Sequence, residues 1–543
     1  MLTDKTNVLE LAALMLAHGI RDIVLCPGSR NIPLVHTFTN LEEMNCYAVT
    51  DERSAGFFAL GLALHHQRPA AVCCTSGTAL LNLHPAMAEA RYQQVPLLVL
   101  SADRPAAWID QMDGQTLKQP GVFEQLDIRS FNVPEFHTEE ERWFGNRQIN
   151  EALDLLEDRH PVHINLPLSE PLYNFNTPSL PETRIIRRTR FQPDPLGLEK
   201  LVEATRIYKK IMVLIGQRPA GKKTWHLPQN IVCLEEHLSN RACQGSIGNF
   251  DRILLSMNEQ TKTEMAPDLL IYVGGHIVSK RFKQFIRQHP PLEQWRVNAD
   301  GKVTDLFQCL SRIIQCPTEL FLDSLERAEE GNMEFRQKWQ QASDRIQEPS
   351  LAYSEMDAVR KLIHRLPSGS VLHLANSSAV RYAQFYPLGK DIEVQCNRGT
   401  SGIEGSLSTA AGYASASEEL NFVLIGDLSF FYDANALWNQ HVGANLRILL
   451  LNNGGGEIFK NLPGLDTTTV SGPFILGDHT TSARAWAEER GFLYLSAKKE
   501  EELEEGLSVL TGYSLKPVLL EVETDREKDS EILKGYYNKL KNK

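Results

Sequence analysis

The sequence predicts an α/β protein of three doubly wound parallel-sheet domains, and three observations carry that prediction. Short apolar runs recur between helical patterns, as parallel strands do when helices cover both faces of their sheet. A chain of 543 residues with 42 % apolar residues can bury several cores, and on a length prior it holds about three domains. A Pro-, Arg- and Thr-rich stretch over 172–195 and a charged helical stretch over 317–350 part the apolar runs into three blocks.

In the first block the strand candidates are 23–26, 70–74, 97–100 and 162–166, each closing on a loop rich in Gly, Ser, Asp or Pro. The second, smaller block has 211–215 before Gly216, 231–234, and 269–273 before Gly274-Gly275, where a tight strand-to-helix turn is expected. The third starts near Tyr353 and offers 371–374, 422–425, 448–451 and 518–522 ahead of a Lys-rich tail. The expected domain spans are 1–175, 195–330 and 350–543. No repeat of fixed period is present.

Composition removes several function classes. A net charge of −12 argues against nucleic acid as a partner, because backbone binding needs clustered excess Lys and Arg. The longest apolar runs fall far short of the roughly 20 residues that cross a bilayer. The start Met1-Leu2-Thr3-Asp4-Lys5 has no basic region followed by an apolar stretch, so the expectation is a cytoplasmic protein without membrane contact. Nine cysteines without regular spacing read as buried free thiols rather than a disulfide framework. The 16 histidines include no pair with zinc spacing, and none is assigned a role.

The strongest chemical signal lies in the last third. One strand candidate runs into Gly426-Asp427-Leu428-Ser429, and a later one ends at Asn452-Asn453-Gly454-Gly455-Gly456. Adjacent strand ends would bring Asp427 and Asn453 together, and a carboxylate with an amide oxygen suits Mg²⁺, which keeps further positions for diphosphate oxygens, water and a backbone carbonyl. Glycines let the backbone approach phosphates, and a helix start offers free N–H groups to an anion. The rival nucleotide motif, G-x-G-x-x-G opening a helix, does not occur.

A second signal is Asp51-Glu52-Arg53 ahead of a helical run. Read alone, Glu52 is a solvated residue stabilised by the helix dipole. Beside a magnesium-diphosphate anchor it gains another reading, because thiamine catalysis needs a carboxylate at N1′ of the aminopyrimidine. That hydrogen bond lets the 4′-amino group take the proton from C2 of the thiazolium.

The motifs Cys26-Pro27-Gly28-Ser29-Arg30, Asp51-Glu52-Arg53, Thr75-Ser76-Gly77-Thr78-Ala79 and Ser101-Ala102-Asp103-Arg104-Pro105 are followed by Asn397-Arg398-Gly399-Thr400-Ser401-Gly402-Ile403 and Gly426-Asp427-Leu428-Ser429. In that order, across nearly the whole chain, they resemble the 2-succinyl-5-enolpyruvyl-6-hydroxy-3-cyclohexene-1-carboxylate synthases of menaquinone biosynthesis. A general thiamine-diphosphate 2-oxoacid decarboxylase or carboligase, the nearest rival, usually reads Gly-Asp-Gly where this chain has Leu428. A catalytically silent nucleotide-binding protein is the rival of another class, and the joint presence of Glu52, Asp427 and Asn453 speaks against it.

The resemblance implies a fold of the thiamine-diphosphate enzyme type, with thiamine diphosphate and Mg²⁺ (or Mn²⁺) as cofactors. It implies decarboxylation of 2-oxoglutarate and 1,4-addition of the resulting succinic semialdehyde carbanion equivalent to isochorismate. Glu52 is then the catalytic side chain, and Ser76, Gly426, Leu428 and Ser429 stand with it around the cofactor. Ile403 wedges beneath the cofactor, while Ile458 and Phe459 line its thiazolium side. Asp427, Asn453 and the Gly455 carbonyl bind the metal. Substrate binding falls to Ser29, Arg30, Arg104, Gln115, Lys280, Arg281, Asn376, Ser377, Arg381 and Arg398, since guanidinium forks match carboxylates. The family also implies a homo-oligomer, dimer or tetramer, whose active sites lie at a subunit interface.

Three sites depart from the family pattern, at four residues: Asn31-Ile32 after Ser29-Arg30, Gly114 before Gln115, and Gly454 in the loop after Asn453. The first two bear on contacts to isochorismate, and the third loosens the metal loop.

Overall fold

The structure is a computed structural model that describes all residues except 191–193, 222, 390, 457–471 and 543. Three parallel sheets follow one another along the chain. The N-terminal sheet comprises β1 (Asp22–Leu25), β2 (Asn45–Ala48), β3 (Ala70–Cys74), β4 (Leu97–Asp103), β5 (Ser130–Asn132) and β6 (Val162–Pro167), in the order β2-β1-β3-β4-β6-β5. The central sheet comprises β7 (Ile211–Ile215), β8 (Ile231–Glu235), β9 (Leu269–Val273), β10 (Glu293–Val297) and β11 (Leu310–Ile314), ordered β11-β10-β9-β7-β8. The C-terminal sheet comprises β12 (Val371–Leu374), β13 (Glu393–Gln395), β14 (Asn421–Gly426), β15 (Leu446–Asn452), β16 (Leu493–Ala497) and β17 (Val518–Glu523), ordered β13-β12-β14-β15-β17-β16. Its order repeats that of the N-terminal sheet strand for strand.

Every strand candidate read from the sequence is a strand, and the six strands without an apolar signal explain themselves. β2, β5, β11, β13 and β16 are sheet edges, with half-open faces such as the exposed-to-half-buried run of β2. β10 is interior but carries Gln294 and Arg296, both buried polar residues. Between β6 and Asp194 the described residues form neither helix nor strand, apart from the Leu2–Thr177 bridge. This stretch is nonetheless pinned to the N-terminal unit, where Arg190 pairs with Asp154, Glu157 and Asp158.

The N- and C-terminal units meet through two crossing helices, Glu52–His66 and Ser406–Ala416. A β-carbon built on Gly61 would lie 2.1 Å from the Thr409 carbonyl oxygen, and one on Gly412 would lie 2.1 Å from that of Phe58. Only glycine admits backbones this close. All nine cysteines are free thiols. Among the described residues, no helix is long and apolar enough to cross a membrane.

Candidate active site

In doubly wound sheets a ligand sits beyond the carboxyl ends of the strands, where the strand order reverses. The C-terminal sheet reverses between β12 and β14, and the N-terminal sheet between β1 and β3. Most of the described residues expected to act lie by these two places, while Lys280 and Arg281 lie in the central unit.

At the first, β14 passes into helix Asp427–Tyr432 with no intervening loop. Asp427 is buried; its Oδ1 accepts from the Leu428 N–H at 2.6 Å and its Oδ2 from the Gly455 N–H at 2.9 Å. Gly455 also donates to Asn453 Oδ1 at 3.2 Å, so strand ends β14 and β15 bring Asp427, Asn453 and Gly455 to one point. Gly454 turns the loop at φ 77°, in the left-handed region. Burial pushes the Asp427 carboxyl above its usual range. A desolvated carboxylate facing an amide oxygen, with Nδ2 of that amide held by Glu355 at 2.9 Å, fits an oxygen-donor site for a hard cation.

No sequence signal marked Glu355 or His479. His479 Nδ1 accepts the Thr481 N–H at 3.1 Å, which leaves the proton on Nε2, 3.2 Å from Asp427 Oδ2. The two residues lie in no motif, and only the fold brings them to the anchor.

A chain of contacts leads outward from the anchor. Ser429 donates its hydroxyl to the Ile403 carbonyl, and Ile403 itself stays 40 % exposed. Asn376 donates to the carbonyls of Asn397 and Gly402, both at 2.8 Å, and accepts from Arg398 Nη1 at 2.6 Å. Ser377 follows in the left-handed region at φ 71°, a strained conformation for a non-glycine residue, and starts helix Ser378–Ala383. Arg381 on that helix has a buried Nη1 with no hydrogen-bond partner among the described residues. Burial and then Arg398 hold its pKa down.

Arg381 also lines a cleft of about 230 Å³ shared with the central unit's Lys280, Arg281, Glu236 and Asp251. Arg281 pairs with Asp251 and lies over the Tyr537 ring at 4.6 Å. Glu236 accepts the N–H groups of Val278 and Ser279 at 2.6 and 2.7 Å, and burial pushes its carboxyl up to about 7.

The N-terminal crevice holds the second group. A β-carbon on Gly28 would meet Thr75 Cβ at 2.4 Å, so the loops after β1 and β3 touch. Ser29 is exposed, whereas Arg30 is buried, with Nη1 on the Leu168 carbonyl and Nη2 on Glu170 at 3.0 Å. Ser76 is buried, its hydroxyl without a hydrogen-bond partner among the described residues, and Gly77, at φ 84°, backs onto Gln115. Arg104 holds the loop bearing Gln115 through the Gly114 carbonyl at 3.2 Å and Asp113 at 3.0 Å. Of the departures from the family pattern, Asn31 is a structural plug: it is fully buried and donates to the Cys26 carbonyl at 2.8 Å.

Glu52 opens its helix behind Asp51, whose side chain caps the Ser54 N–H. Glu52 accepts from Asn82 at 3.4 Å, and its charge helps raise the Cys26 and Cys74 thiols, which places it over the ends of β1 and β3. Among the described residues, no hydrogen bond or ion pair joins Ser29, Arg30, Glu52, Ser76, Arg104 or Gln115 to the group around Asp427. Ile458 and Phe459 lie outside the described residues.

With this geometry in hand, the chain can be set beside known proteins. Residues 7–128 match the family described as thiamine pyrophosphate enzyme, N-terminal TPP binding domain, and residues 224–374 the middle domain of thiamine pyrophosphate enzymes. A protein of Phocaeicola vulgatus named 2-succinyl-5-enolpyruvyl-6-hydroxy-3-cyclohexene-1-carboxylate synthase is 54 % identical over 100 % of both chains. Proteins of the same name from Bacteroides fragilis and Flavobacterium johnsoniae are 53 % and 37 % identical over at least 98 % of both chains. The benzoylformate decarboxylase of Polynucleobacter necessarius shares the fold, with a TM-score of 0.72 at 15 % identity over 96 % of this chain and 99 % of that one.

Proposed function

The chain belongs to the 2-succinyl-5-enolpyruvyl-6-hydroxy-3-cyclohexene-1-carboxylate synthase family of thiamine-diphosphate enzymes, and from that premise we propose that it decarboxylates 2-oxoglutarate and joins the remaining four-carbon unit to isochorismate for menaquinone synthesis. The observation that carries this reading is the meeting of Asp427, Asn453 and Gly455 at the strand-order reversal, with Asn376, Arg398 and Arg381 around it. Thiamine diphosphate, when bound, supplies the electron sink for loss of CO₂ and for the new carbon–carbon bond.

The rest of the work falls to the chain's own side chains. Asp427 and Asn453, with the Gly455 carbonyl, would hold Mg²⁺ or Mn²⁺ against the diphosphate, and Ile403 would support the cofactor's bend. Glu355 accepts a hydrogen bond from the Asn453 amide, and His479 Nε2 lies 3.2 Å from Asp427 Oδ2, so both ligand side chains have outer partners behind them. Glu52 would hold the proton at N1′ of the aminopyrimidine. Arg381 and Arg398, with Lys280 and Arg281, present guanidinium and ammonium groups to dicarboxylates; from the other crevice Arg30 and Arg104 add guanidinium groups and Ser29 and Gln115 a hydroxyl and an amide, while Ser76 stands with Glu52 around the cofactor.

These two groups form complementary halves, one with the anchor and one with the catalytic carboxylate. A second copy of the chain would complete each site, so the working enzyme is a homo-oligomer. Incubation with 2-oxoglutarate, isochorismate, Mg²⁺ and thiamine diphosphate should remove the isochorismate absorbance. Consumption of pyruvate in place of 2-oxoglutarate would instead make the chain a different 2-oxoacid carboligase.

A further inference from the structure

A second cluster of donors lies in the central unit, away from both crevices. Cys233 and Glu235 point to one face of edge strand β8, and Cys243 approaches from the segment that pairs beside it. The two thiol sulfurs and a Glu235 oxygen all lie within 4.8 Å of one another, and all three residues are buried. Among the described residues, no other group of three His, Cys, Asp or Glu donors converges so closely.

Two of the three side chains, Glu235 and Cys233, are acids in a place that disfavours their charged forms. Burial pushes the Glu235 carboxyl up to about 7, and a hydrogen bond to Cys243, then burial, raises the Cys233 thiol. A divalent ion resolves that frustration by replacing protons, the usual coupling of metal binding to ligand deprotonation. Two thiolates and a carboxylate select a borderline-soft ion and disfavour Mg²⁺. The guanidinium groups of Arg218 and Arg241 act on Glu235, and that of Arg336 on Cys233, which offsets the negative charge of the three deprotonated ligands. A simple thiol pair would have no use for the carboxylate. Here Glu235 is aimed by the Cys243 N–H at 2.8 Å and the Ser246 hydroxyl at 2.7 Å.

We propose that Cys233, Glu235 and Cys243 bind a thiophilic divalent ion of the zinc class and thereby clip the segment 240–247 onto β8. Two S–H bonds and one O–H bond are exchanged for bonds to the ion, the protons leave to solvent, and no electron is transferred. The clip reaches the active site through neighbouring residues. Asn240 brackets Val394 of β13, accepting from its N–H at 2.7 Å and donating to its carbonyl at 3.2 Å. Arg241 donates to the Leu388 carbonyl. β13 leads directly to Asn397-Arg398, so an ion here stiffens the platform under a proposed substrate-binding arginine.

The test is a Co²⁺ titration of the full-length protein, stripped with chelator under reductant. Binding of one equivalent should produce a thiolate-to-cobalt charge-transfer band in the near ultraviolet, with proton release, and Zn²⁺ should displace it. Asp427→Ala should keep the band, while Cys233→Ser and Cys243→Ser should abolish it. Should those variants fold poorly, Glu235→Gln keeps both thiols and should weaken Co²⁺ binding by more than about tenfold, since losing a ligand costs at least as much as losing an outer partner. A wild-type protein without the band overturns the proposal. So does a band that survives both cysteine substitutions, or full affinity in Glu235→Gln.

Discussion

The N- and C-terminal units share one strand order, yet their corresponding loops carry opposite chemistry. β14 ends in Asp427 and β15 in Asn452-Asn453, all oxygen donors suited to a cation. The matching strands β3 and β4 lead to the Ser76 hydroxyl and to Asp103-Arg104, whose guanidinium suits an anionic substrate. The fold thus decides where a ligand sits, and the loop residues decide which ligand. Glu52 belongs to the N-terminal unit and Asp427 and Asn453 to the C-terminal one, and that division can be tested one half at a time.

The largest expected effect comes from the N-terminal half. Glu52→Gln should lower turnover by about 10²–10⁴-fold, the usual worth of a positioned acid–base group, while calorimetric affinity for Mg²⁺ and thiamine diphosphate stays near that of the wild type. Equal losses of binding and turnover would erase the division between halves. The complementary change, Asp427→Ala, should weaken Mg²⁺-dependent cofactor binding by roughly 10–100-fold or more. Unchanged cofactor affinity there would move the anchor elsewhere.

The sequence made this comparison legible only in part. Central strands such as β3, β4, β14 and β15 are buried on both faces and read as unbroken apolar runs. Edge strands such as β2 and β16 leave one side open and carry no such signal. The anchor could be read because Asp427 and Asn453 sit directly at strand ends, where adjacency in the sheet follows from topology. His479 and Glu355 could not, since each reaches the anchor through a loop or helix start that obeys no local pattern. The clustering of Arg381 with Lys280 and Arg281 also depends on how the central unit docks, which no periodicity encodes.

Stability offers a third way to probe the pair. Gly61→Ala drives a methyl group into the Thr409 carbonyl at the helix crossing that joins the two units. The expected cost is about 1–3 kcal/mol, as for other overpacked sites, read as a lowered midpoint in denaturant. A neutral substitution would mean that the units are held together elsewhere.

The smallest effect asks whether the central unit only spaces the other two. Glu236 stands in the cleft with Lys280, Arg281 and Arg381, and burial has pushed its carboxyl up to about 7. A raised carboxylate pKa means that the group is neutral below that value and gains its negative charge as pH rises through it. The cleft then becomes less attractive to a dicarboxylate, so KM for 2-oxoglutarate should rise roughly two- to fivefold between pH 6 and pH 8, the size of a solvent-screened charge pair. Glu236→Gln should flatten that rise and leave kcat nearly unchanged, because among the described residues no hydrogen bond or ion pair joins Glu236 to Glu52, Asp427 or Asn453. A profile identical in wild type and variant would leave substrate recognition to the N- and C-terminal units, with the central unit's cations paired for structure, as Arg281 is with Asp251.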